Sequence, residues 1–164
     1  MRYLQALERD DGEVVLRRLA LLLLLSASPG AAQERTELLK SLTTAETLRC
    51  ELGVGSQAVW DDGIPRLEES TFGDENELVF DSIDTDQKTA RLIGNAGAAD
   101  VTAVVTGVGL TLLEQSPAGS INITTVYAAH DSPGSDRFVL VHSRHHDSFG
   151  PFPSQFHGTC RVLQ

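Results

Sequence analysis

Aromatic residues make up only 5% of this 164-residue chain, which carries one tryptophan, one methionine and two cysteines. So little ring surface argues against a large aromatic-lined cavity. No run of lysines or arginines occurs, and 13 Lys plus Arg stand against 23 Asp plus Glu, a net charge of −10. A field of that sign disfavours nucleic acid and anionic membrane surfaces as partners. The apolar run from Leu19 to Leu25 falls far short of the ~20 residues that cross a bilayer, so no membrane span is expected. The first cysteine, Cys50, lies too far along to carry a lipid anchor after a cleaved leader. No His-Glu-x-x-His helix is present, and Gly53-Val54-Gly55-Ser56-Gln57 is not a nucleophile elbow.

What is there begins with a leader. Arg17 and Arg18 precede the leucine run, and small residues follow from Ser26 to Ala32, the order of a secretory signal peptide with cleavage after Ala32. Residues 1–13 are too acidic for such a leader, which suggests translation starting near Val14 or Val15. Removing residues 1–32 leaves 9 basic and 19 acidic residues and the same net charge. Export to an oxidising compartment lets Cys50 and Cys160 pair, since no third thiol competes.

The remainder divides by periodicity. Leu38, Leu39 and Leu42 among Glu34, Arg35, Glu37 and Lys40 predict a short amphipathic helix over 33–46. Beyond it, residues 47–164 break into short Val-, Ile-, Thr- and Leu-rich segments cut by turn residues such as Asp61-Asp62-Gly63 and Asp131-Ser132-Pro133-Gly134. These predict eight or nine antiparallel strands. Leu48, Cys50 and Leu52 share one face, and Cys160 and Val162 share one in the last strand. A bond between first and last strands is what a sheet closed on itself requires. The expected fold is all-β, a single up-and-down β-barrel of lipocalin-like type with a short N-terminal helix; a β-sandwich is the alternative. Strands apolar on both faces, Val101–Val105 and Leu110–Leu113, imply that one outer face is covered by the helix or by a partner.

His142, Arg144 and His146 lie on one strand face, and with His157 they form the candidate ligand or metal site. The plainer reading is a strand end whose histidines bond backbone carbonyls or Asp147. Asp81, Asp84 and Asp86 fail as a calcium loop because Thr89 stands where glycine is needed; a solvated hairpin explains them. Asn122-Ile123-Thr124 matches a glycosylation acceptor, although within an alternating strand Asn122 reads as an outward polar residue. Trp60 reads as core. Phe149 and Phe152, held among Gly150, Pro151 and Pro153, form a candidate partner loop.

Phe80-Asp81-Ser82-Ile83-Asp84 with Ala90-Arg91-Leu92-Ile93-Gly94-Asn95, and Val141–His145 followed by Pro153–Cys160, resemble small, uncharacterised secreted proteins of Gram-negative bacteria. The resemblance covers most of the chain after residue 32. It implies a periplasmic location and no activity. No cofactor is implied, and nothing sets the oligomeric state. The leading expectation is a non-catalytic binding protein for a small apolar ligand or an envelope protein. The alternative is a metal-assisted hydrolase using His142, His146 and His157.

Overall fold

A computed structural model describes residues 29–73, 76–94, 97–117, 119–147 and 150–163. Most of the expected leader and the alternative start site lie outside the described residues. Helix α1 (Pro29–Thr43) precedes nine strands. They are β1 (Thr47–Asp61), β2 (Ile64–Thr71), β3 (Glu77–Asp84), β4 (Thr89–Gly94), β5 (Gly97–Thr106), β6 (Gly109–Gln115), β7 (Ile121–His130), β8 (Phe138–Asp147) and β9 (Pro151–Leu163). The chain divides after Glu34, and the second compact unit, Arg35–Gln164, holds the whole sheet.

Neighbouring strands from β3 to β9 pair antiparallel in sequence order, and β1 pairs with both β3 and β9. Eight strands therefore close into an up-and-down barrel, and β2 is an extra strand attached to β1 alone. Closure removes the edges that an open meander would expose. The expected barrel with its short helix is the observed fold, and the sandwich alternative falls.

Alternate residues of each strand turn inward. Leu48, Leu52, Phe80, Leu110, Leu112, Leu140 and Phe156 are all buried at 3% exposure or less. An eight-stranded barrel is just wide enough for such side chains to fill it. Cys50 and Cys160 face each other across β1 and β9, bonded, with Cα atoms 3.9 Å apart. The seam stays narrow beside them: a Cβ on Gly158 would run into the Glu51 carbonyl oxygen.

α1 ends earlier than the expected residue 46. The Thr43 and Thr44 hydroxyls donate to the Lys40 carbonyl and compete with continued helical bonding, and Ala45 turns into the core. Leu42 is fully buried, with Leu38 and Leu39 packed against the same cluster. Arg35 donates to the Gly107 carbonyl of the β5–β6 turn at 2.8 Å, and Thr85 of the β3–β4 turn donates to the Thr43 carbonyl. The helix thus stoppers one barrel end instead of covering a sheet face. Val104, Leu113 and Ile121 accordingly remain 38–39% exposed outside.

β1 outruns the barrel. Its register with β9 shifts between Leu52 and Gly55, a bulge whose extra residue exchanges the strand's inward and outward faces, and pairing with β9 ends at Gln57–Ser154 while β1 runs on to Asp61. Asp62 (φ 51°) and Gly63 (φ 78°) then make the two-residue turn into β2, both positive angles as a type I′ turn requires. β1 and β2 form an arm on the end opposite the helix.

Candidate functional site

At the open end the barrel interior changes from apolar to polar. Cross-strand register brings Glu114, Asn122, Arg144 and Ser154 into one inward row over β6 to β9, with Thr124, His142 and Phe156 in the row below. Asn122 Nδ2 donates to Glu114 Oε2 at 2.6 Å. Thr124 Oγ1 and His142 Nδ1 share a 2.8 Å hydrogen bond, and Ser120 Oγ and His146 Nδ1 one of 2.6 Å. Phe72, just after β2, closes over this cluster with its ring 5.2 Å from both His142 and Phe156, edge to face in each case. The Arg144 guanidinium lies 5.7 Å from the Phe72 ring centroid, a cation–π contact.

Burial, and then the charge of Arg144, push the His142 pKa down to about 4. An imidazole of that pKa is a weak base near neutrality, and its partner Thr124 is buried at 2% exposure. The cluster is a polar plug in which Ser120 bonds His146, Thr124 bonds His142 and Asn122 Nδ2 bonds Glu114, while Asn122 Oδ1 is buried without a hydrogen-bond partner among the described residues.

The second feature is the arm. Val54, Trp60, Ile64 and Leu67 are 62%, 44%, 67% and 79% exposed. Ala58 pairs with Leu67 and Trp60 with Pro65, so these four paired residues share a face with Val54. The opposite face carries Gln57, Val59, Asp61, Ile64, Arg66 and Glu68, so Ile64 lies across the ribbon from Trp60 and Leu67, and Arg66 bonds Asp61 at 3.2 Å. Between the arm and the ends of β8 and β9 runs a groove of about 330 Å³ touched by Ala58, Leu67, Arg144, Pro153 and Ser154.

The structure separates the predicted metal site. His142 and His146 share the inward face, but four residues of strand set their Cα atoms roughly 13 Å apart. His157 follows inward Phe156 and is exposed on the outer face, opposite Val141. Among the described residues no three His, Cys, Asp or Glu side chains gather to hold a metal. Asn122 is a correction: β7 parity, set by Thr124 and Val126, turns it inward, where it meets Glu114. Trp60 is another: the bulge reverses the face it occupies, and it lies three residues beyond the last β1–β9 pair at Gln57. Phe149 lies outside the described residues. Phe152 belongs to strand β9 instead of a loop, 39% exposed at the rim and opposite His146. The Asp81–Asp86 stretch is the hairpin expected: Asp84 Oδ1 accepts from the backbone N–H of Asp86 and Gln87, and Asp81 pairs with Arg91.

Sequence patterning does not single out Phe72, Ile64 or Leu67. Asp62-Gly63 between two alternating segments signals the hairpin; nothing local signals that it projects from a barrel.

No protein-family model matches the chain, and no curated protein does. What the fold and site define is a class only: a small disulfide-closed β-barrel with a plugged lumen and a projecting hairpin.

Proposed function

We propose that this protein is an exported, non-catalytic binding protein that engages another polypeptide through its β1–β2 arm. The observation carrying the proposal is the arm itself: four large apolar side chains on a two-stranded ribbon outside the core. Two-stranded ribbons are marginal alone, and clustered exposed apolar groups mark contact sites. Buried leucines and phenylalanines occupy the lumen, which weighs against the small apolar ligand. The net charge of −10 weighs against an anionic membrane as the arm's target. A leader at residues 1–32 fits this reading, and the Cys50–Cys160 bond is consistent with an oxidising, exported compartment; we place the protein in the periplasm or outside the cell. The dispersed histidines remove the support for the metal-assisted hydrolase.

A photo-crosslinking residue at position 67, irradiated in the producing cell, is expected to yield discrete polypeptide adducts. The same residue at Asp86, in the β3–β4 turn by the helix, is expected to yield none. No adduct of any kind at position 67 would end the proposal.

A further inference from the structure

We infer that the polypeptide met by the arm is a second copy of this chain, joined by antiparallel pairing of β2 with β2 about Leu67. This rests on the arm being a polypeptide contact and names its partner. β2 pairs with β1 on one side only, so its other edge presents backbone groups. In a two-residue hairpin the pair flanking the turn is hydrogen-bonded, and bonded and non-bonded pairs alternate from there. Asp61–Ile64 is that first pair. Pro65, Leu67 and Glu69 consequently turn their backbone groups to the free edge. Pro65, which has no N–H, is placed where no bond to β1 is lost.

A two-fold pairing must set outward-turned residues against one another, which leaves few registers. Centred on Leu67, it opposes Arg66 to Glu68 twice, Leu67 to Leu67, and Pro65 to Glu69. The Leu67 N–H and carbonyl exchange two bonds across the axis, and each Pro65 carbonyl accepts from the opposite Glu69. Moving the centre by one residue opposes Arg66 to Arg66 or Glu68 to Glu68. Like charges directly opposite destabilise a sheet and unlike charges support it, so one register is selected. The resulting four-stranded ribbon sets the apolar faces carrying Trp60 and Leu67 side by side. Every residue from Ile64 to Glu69 is exposed, so the barrel leaves the edge accessible.

The test is sedimentation of the chain recovered from the cell, at about 100 μM, a concentration suited to an interface this small. Wild type is expected to sediment as a dimer. Arg66→Glu and Glu68→Arg should each weaken association about tenfold or more. Mixed one to one, the two variants should form a heterodimer by native mass spectrometry. In that pairing the two introduced side chains, of opposite charge, face each other, and the unaltered Glu68 of one variant faces the unaltered Arg66 of the other. A purely structural role for either residue predicts no such rescue. Wild type that stays monomeric, or a mixture that associates no better than its parts, overturns the self-pairing. Adducts at position 67 to a different protein would then leave the arm reading standing, whereas no adducts at all would remove both.

Discussion

Moving an imidazole into an apolar barrel strips the water that stabilises its cation, and the Arg144 guanidinium two residues away adds repulsion. His142 therefore titrates near 4 in the folded chain, against 6.5 ordinarily. The unfolded chain takes up this proton first as pH falls, so protonation favours unfolding. The stability from this site is intact above pH 6.5, declines as pH drops towards about 4, and levels off below. From pH 7 to 4.5 the loss should be about 2 to 3 kcal/mol. Urea unfolding of wild type and His142→Gln should show that much less pH dependence in the variant; equal slopes would mean that His142 is not held neutral. Arg144→Met removes the smaller cause, and an NMR titration should place His142 closer to its ordinary pKa.

Two short elements at opposite barrel ends differ in what they do for stability. α1 stoppers one end with Leu42, which is fully buried, and Leu42→Ala should cost about 2 to 5 kcal/mol in chemical denaturation. A cost under about 0.5 kcal/mol, the range of an ordinary surface change, would show that the helix does not close the barrel. In the arm, Leu67 is 79% exposed, so Leu67→Ser should change stability by no more than about 0.5 kcal/mol. The same change should abolish dimer sedimentation. Retained association would exclude Leu67 from the contact. The amphipathic spacing of Leu38, Leu39 and Leu42 was enough to predict the helix, because a 3.6-residue period is local. Its destination was not legible: the spacing says that a face is buried and not which surface receives it.

Across the whole molecule, the disulfide joins the first and last barrel strands over a separation of 110 residues. Cross-linking so long a loop restricts the unfolded chain by roughly 4 to 5 kcal/mol in the entropy model, with measured losses usually about 2 to 5 kcal/mol. Replacing both Cys50 and Cys160 by alanine should lower urea stability by that amount while the β-sheet circular dichroism persists in dilute buffer. An unchanged midpoint would mean that the β1–β9 ladder closes the barrel without help. The ladder is extensive, running from Thr47–Leu163 to Gln57–Ser154 around its bulge, which is why the closed sheet is expected to survive at reduced stability.

A count of eight or nine strands, their antiparallel order, the helix and the cysteine pair were all legible in the amino-acid order. Each depends on a period of two or 3.6 residues, on turn residues a few positions apart, or on there being no third thiol. Apart from the two cysteines, which side chains meet was set by the folding of the sheet. The bulge after Leu52 sends Trp60 outward, and the parity of β7 and β9 turns Asn122 in and His157 out. Closure brings Phe72 over His142, far along the chain. A strand's alternation names two faces without saying which is inside, and a one-residue shift exchanges them. That choice is made by closure of the barrel, through contacts between segments the sequence holds far apart.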